Sequence, residues 1–177
     1  MPNVADFTAG AVTAVRRCAD LINAAREPGD DALRAVLDEH GEDGGALSTD
    51  DVAALRTAAG ELRAIAEAAT LEDAVARINE HLGAGERPRL SAHDGSPWHL
   101  HTDAPGASWG PWLRASSAMA LAITVAETQR RPLDVCAASG CDRVFVAAGR
   151  GRPRRYCSET CATRDRAAKF RARHRGE

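Results

Sequence analysis

Long apolar runs are missing from this 177-residue chain. No stretch approaches the roughly twenty uninterrupted apolar residues of a membrane helix, and Met1 to Ala19 carries Asp6, Arg16 and Arg17 where a signal peptide would carry its apolar core. The expectation is a cytoplasmic protein with no membrane partner. Lysine is almost missing as well, since every basic residue except Lys169 is arginine. Arginine usage of that kind follows from a GC-rich genome as readily as from selection for bidentate phosphate contacts, so its position says more than its abundance. The sequence also has no Gly-rich phosphate loop, nucleophile–base pair, open metal triad or constellation of catalytic carboxylates, and the expectation is that it is not an enzyme. It has no internal repeat and no low-complexity tract beyond a general alanine bias.

What is present supports one ordinary hydrophobic core and a small appendage, with 44% of residues hydrophobic. The overall charge of -2 conceals a division. Residues 130–177 hold 13 Lys+Arg against 5 Asp+Glu, a net +8, and residues 1–129 hold 10 against 20, a net -10. Charge separated by region marks a polyanion-binding segment attached to an acidic, solvating body.

The body reads as helical. From Val4 the apolar residues Phe7, Ala11, Val15, Cys18 and Ile22 recur every three or four positions until Pro28-Gly29. Cys18 falls on the inner face, as a small core residue with no assigned chemistry. Leu33, Val36 and Leu37 predict a short second helix ending near Gly41. Ser48 with Asp51 and Thr70 with Asp73 resemble capping boxes opening two more helices, the second stopping at Gly83. Between Pro88 and Asp103 two short extended runs flank Asp94-Gly95-Ser96-Pro97, which predicts a hairpin. Pro111 suits the first turn of a helix through Leu113, Ala120, Ile123 and Ala126 to about Gln129, and Arg130-Arg131-Pro132 marks a linker. The expected architecture is mainly α: residues 1–129 as an acidic helical domain with a small β-hairpin, and residues 130–177 as a four-cysteine zinc module ending in a basic helix.

Four of the five cysteines, Cys136, Cys141, Cys157 and Cys161, lie within 26 residues. The spacing is C-x4-C, fifteen intervening residues, then C-x3-C, so each close pair can place two thiolates on one Zn(II). Four thiolates leave no position for an activated water, which makes the expected metal structural, stabilising the fold by on the order of 10 kcal/mol in a segment with almost no core of its own. Val144, Phe145 and Val146 are nearly the only apolar cluster available to bury the cysteines without a metal. An iron–sulfur cluster and two disulfides use the same ligands and remain alternatives at this point.

Basic residues flank the cysteines on both sides. Arg152, Arg154 and Arg155 lie in a Gly/Pro-interrupted loop between the pairs, and Arg164, Arg166, Lys169, Arg171, Arg173 and Arg175 follow the last cysteine. On a helix from Ser158 onward, Arg164, Arg171 and Arg175 share one stripe, Arg166, Lys169 and Arg173 share an adjacent one, and Ala167, Ala168 and Ala172 keep the surface low. All nine are candidate nucleic-acid contacts, because a net +8 over 48 residues is self-repulsive without a counter-anion.

Cys136-x4-Cys141, Phe145, Arg154-Arg155-Tyr156-Cys157-Ser158 and Cys161-Ala162-Thr163-Arg164 together resemble the CGNR zinc finger, named for a Cys-Gly-Asn-Arg signature. Here the signature keeps its cysteine and arginine and replaces the middle two residues, and Tyr156 stands where the family often has Trp. Such proteins commonly carry an N-terminal helical ABATE domain, which Ala19-Asp20-Leu21-Ile22-Asn23 and Ala76-Arg77-Ile78-Asn79 resemble. The resemblance implies a bacterial, stress-linked transcription regulator with DNA as partner.

A regulator needs a signal, and the hairpin region offers His93, His99 and His101 close to Trp98, Trp109 and Trp112. Trp98, His99, His101 and Trp112 are the candidate effector pocket for a small molecule. A surface histidine cluster over packed tryptophans is the plainer reading. The first functional expectation is thus a DNA-binding regulator, dimeric if it is to be specific. RNA binding, and docking of the basic finger on an acidic protein partner, are the alternatives.

Overall fold

The computed structural model describes residues 4–92, 99–148 and 153–173. The chain runs α1 (Val4–Ala24), α2 (Asp31–Glu39), a 3-10 turn (Gly44–Ala46), α3 (Thr49–Ala66), α4 (Leu71–Gly83), β1 (Arg89–Ser91), β2 (His99–His101), α5 (Trp109–Thr128), β3 (Leu133–Val135), β4 (Val144–Val146) and α6 (Glu159–Arg173). The mainly helical class expected from the sequence is what forms. Among the described residues no helix is long and apolar enough to cross a membrane.

Local chemistry sets the helix limits. The Ser48 hydroxyl accepts from the Asp51 N–H at 3.2 Å while the Asp51 carboxylate accepts from the Ser48 N–H at 3.0 Å, a complete capping box opening α3. Thr70 accepts from the Asp73 N–H at 3.1 Å at the start of α4. Gly41 (φ 78°) follows α2 in the left-handed region that its missing Cβ permits.

The helix α5 lies at the centre, packed by α1, α3 and α4. Its buried positions are Leu113, Ala115, Ser117, Ala118, Ala120, Leu121 and Thr124, which lie on more than one face. The helix expected through Leu113, Ala120, Ile123 and Ala126 to about Gln129 forms, and because it is surrounded on three sides it buries residues on more than one face, with Ala126 exposed near its end. Gly110 lets α5 approach α3 closely, since a Cβ there would lie 3.2 Å from Ala54. Around α5 the core gathers Val15, Leu21, Ile22, Leu33, Leu37, Leu55, Leu62, Ile65 and Ile78.

Cys18 is fully buried in that core, and desolvation pushes its thiol up to about 11. An alkylating reagent should leave Cys18 unmodified in the folded protein and label it only after denaturation, which peptide mass spectrometry reads directly.

Among the described residues two antiparallel hairpins complete the fold. In the first, Arg89 pairs with His101 and Ser91 with His99, at the hairpin position the sequence predicts. The second, with Leu133 opposite Val146 and Val135 opposite Val144, was not foreseen; its strands are three residues each and leave little periodicity to detect. It does not hang away from the body after the Gln129 turn. Leu133 and Val144 lie in the main core. The Asn23 amide of α1 donates to the Val144 carbonyl at 2.8 Å and accepts from the Val144 N–H at 2.8 Å, mimicking a further strand along β4. Arg131 adds a hydrogen bond to the Ala68 carbonyl beyond α3 at 2.6 Å and an ion pair with Asp134 at 2.7 Å.

Candidate metal centre and nucleic-acid interface

The metal site is built from two local devices. In the first, Cys136 leaves β3, its N–H donating to the Arg143 carbonyl at 2.9 Å, and the chain turns through Gly140 (φ 70°) so that the Cys141 N–H reaches the Ala138 carbonyl at 3.0 Å. In the second, the Ser158 hydroxyl accepts from the Cys161 N–H at 3.2 Å at the start of α6, so Cys157 and Cys161 both lie at the positive end of the helix dipole. The four ligand sulfurs all lie within 4.8 Å of one another. The Cys141–Cys157 and Cys157–Cys161 separations are 3.8 and 3.6 Å.

Those separations are far too long for disulfides, whose sulfurs are about 2.05 Å apart. They suit the edge of a tetrahedron of four sulfurs about 2.3 Å from Zn(II), which is about 3.8 Å. Protonation agrees. Burial, followed by the neighbouring thiols, pushes Cys157 up to about 12, whereas the Ser158 hydroxyl brings Cys161 down to about 7. Four thiolates at these distances need a cation among them to ionise together. The cluster is a structural zinc site, with all four positions of the metal supplied by the chain.

The surroundings complete the site. The Cys157 N–H donates to the Cys136 sulfur at 3.4 Å, and the Arg164 guanidinium donates to the Cys161 sulfur at 3.6 Å. Four thiolates and one dication leave an excess of negative charge, which Arg164 partly offsets. A small core of Cys136, Ala138, Phe145 and Cys161, with Tyr156 against it, seals the site. The apolar run of β4 is divided by strand alternation: Val144 enters the main core and Phe145 the metal cluster.

On α6, Asp165 is buried and accepts from the Tyr156 hydroxyl at 2.7 Å and pairs with Lys169 at 2.6 Å. Lys169, followed by Tyr156, holds the Asp165 carboxyl below its ordinary range. This anchor fixes which side of α6 faces the finger.

The candidate nucleic-acid residues therefore divide. Lys169 pairs with Asp165, and Arg164 holds the thiolate. Arg154 donates to the Cys157 carbonyl at 3.1 Å and lies over Phe145, and Arg155 lies over Tyr156. Arg166 donates to the Ala162 carbonyl and the Thr163 hydroxyl at 3.3 and 3.2 Å. Arg171 and Arg173 are exposed and have no hydrogen-bond or ion-pair partner among the described residues. Arg152 and Arg175 lie outside the described residues.

The candidate effector residues are less coherent. Trp98 and the neighbouring His93 lie outside the described residues, and for His99 only the backbone is described, in β2. His101 pairs with Asp103 at 3.2 Å. Trp112 packs edge-on to Trp109, with ring centres 5.2 Å apart, and beneath Arg17 at 4.5 Å. A cavity of about 210 Å³ between α4, the loop that follows it, and α5 is lined by His81, Leu82, Gly85, Glu86, Pro88, Thr102, Ala115 and Met119, and by neither His101 nor Trp112.

Sequence reasoning missed Asn23 as a link to the finger, and Tyr156 and Asp165 as the anchor of α6. Ser158 was detectable, as a helix-capping residue three before a cysteine. Asn23 and Val144 are 121 residues apart, and no local signal joins them.

Fold and site thus define a helical protein carrying a C-terminal four-cysteine zinc finger. Residues 133–174 match the family model of the CGNR zinc finger. No curated protein matches the chain. Zinc fingers of this kind have binding roles, to nucleic acid or to protein.

Proposed function

We propose that the protein is a DNA-binding transcription regulator in which zinc holds α6 against DNA, while the acidic helical body, which resembles an ABATE domain, senses a signal or mediates dimerisation. The observation that carries this reading is the outer face of α6. Arg171 and Arg173 project from a helix whose opposite side is fixed by Cys161 and Asp165, and both are available to an outside anion. The Asn23 of the ABATE-like stretch supports it further, because it is one of the residues that join body to finger and offers a route for a signal.

The test is binding of the zinc-loaded protein to duplex DNA by fluorescence anisotropy over a series of salt concentrations. Cutting the chain after Gln129 would be a poor control, because it removes Leu133 and Val144 from the core. The full-length Arg171→Ala/Arg173→Ala variant is better. Each phosphate contact contributes roughly 0.9 to the slope of log affinity against log salt, so this variant should lower the slope by about 1.8 with zinc content unchanged. An unchanged slope would remove α6 from the interface.

A further inference from the structure

Phe170 is 63% exposed, the one large apolar side chain of α6 among the described residues. Its place follows from the anchor. Cys161, Asp165 and Ala168 form the inward stripe of α6, the first two buried. On the opposite side Thr163, Ala167 and Phe170 follow one another at i, i+4 and i+7. Arg166 and Arg173 run along one flank of that strip, and Arg164 and Arg171 along the other, each pair seven residues apart. Beyond Glu159, which opens the helix on this side, the outer face is therefore a strip of Thr163, Ala167 and Phe170 with arginines on both flanks.

We infer that this face seats in the major groove of DNA and that the strip reads thymine, through apolar contact with its 5-methyl group. This inference rests on the DNA-binding reading above and adds to it what the helix recognises. An α-helix about 10–12 Å across fits a groove about 12 Å wide, whose two walls are phosphate backbones. Arg166 and Arg173 on one flank and Arg171 on the other match two anionic walls, while Arg164 is held at the Cys161 sulfur. The Thr163, Ala167 and Phe170 side chains cannot make bidentate hydrogen bonds to guanine or adenine. A Thr methyl, Ala and Phe are instead the groups that pack against the thymine methyl. The Thr163 hydroxyl accepts a hydrogen bond from Arg166, which draws its polar atom toward the flank. Ala167 lets the helix lie deep enough for Phe170 to reach the bases.

The test compares alternating dA-dT duplex with the same duplex carrying deoxyuridine in place of thymidine, using zinc-loaded full-length protein and the Phe170→Ala variant. Removing the 5-methyl changes neither the hydrogen-bonding edge of the base nor its phosphate charge. Each lost methyl contact corresponds to about a fourfold loss of affinity, from about 0.8 kcal/mol per buried methyl-sized group. The wild-type protein should bind the thymine duplex at least fourfold more tightly. Phe170→Ala should bring that ratio towards one while keeping zinc content, helicity and the salt slope. Equal affinity of the wild type for both duplexes, with a normal salt slope, would overturn thymine reading and leave backbone binding standing. A thymine preference that persists in Phe170→Ala would overturn the assigned role of Phe170. No binding to either duplex at low salt, together with binding to anionic phospholipid vesicles, would overturn both the inference and the DNA-binding reading.

Discussion

Cys157→Ser should yield a protein that retains no zinc after dialysis, loses the helical signal of α6, and unfolds at a temperature lower by on the order of 10 °C. The first two effects follow from the site. Cys157 lies 3.8 and 3.6 Å from two other ligand sulfurs, and the finger's own core is four residues with a few partners against it. With a core that small, apparent metal-binding energy of on the order of 10 kcal/mol is the folding energy of the module. The third effect follows from packing. The zinc knuckle continues directly from β3 and β4, which contribute Leu133 and Val144 to the main core at 0% and 2% exposure. Undocking both would cost roughly 3–6 kcal/mol of apolar burial, and each kcal/mol in a chain of this size moves the midpoint by about 2–4 °C. Chelation of the wild-type protein should reproduce all three changes. Differential scanning calorimetry with parallel metal analysis measures them, and an unchanged transition in a zinc-free sample would mean that the hairpin docks without its metal.

The second large effect is expected from Asn23→Ala, at a residue that is not a metal ligand. The amide supplies one donor and one acceptor to the Val144 backbone, both at 2.8 Å, at a site closed by α1. Alanine leaves a buried N–H and a buried carbonyl unsatisfied, at about 1–3 kcal/mol for each group. A loss of about 2–5 kcal/mol is expected in chemical denaturation, with stoichiometric zinc still bound, since no ligand is altered. Asn23→Asp should not rescue it. A carboxylate can accept from the Val144 N–H but places a second acceptor against the Val144 carbonyl. Wild-type stability in either variant would show that the link is replaced by water at no cost.

Much of this chemistry was legible along the chain because it is local. The spacing of Cys136, Cys141, Cys157 and Cys161 announces a tetrahedral site, as only a few residues separate the members of each pair. Ser48 and Asp51 announce the start of α3 because a capping box closes within one turn. The arginines of α6 are equally visible. Which of them remain available for binding is not, since that depends on a sulfur beside Arg164 and a carboxylate beside Lys169. Nor does the run Val144-Phe145-Val146 reveal that its members serve two different cores.

By itself, then, the sequence determined the mainly helical class, the zinc ligands and the basic character of the last helix, all set by residues lying within 26 positions of one another. The tertiary structure decided that the finger is joined to the body through Asn23 and the Leu133–Val144 hairpin, and that α6 turns Cys161 and Asp165 inward and Phe170 outward. Those outcomes depend on groups up to 121 residues apart being desolvated together, a condition that no local pattern of residues encodes.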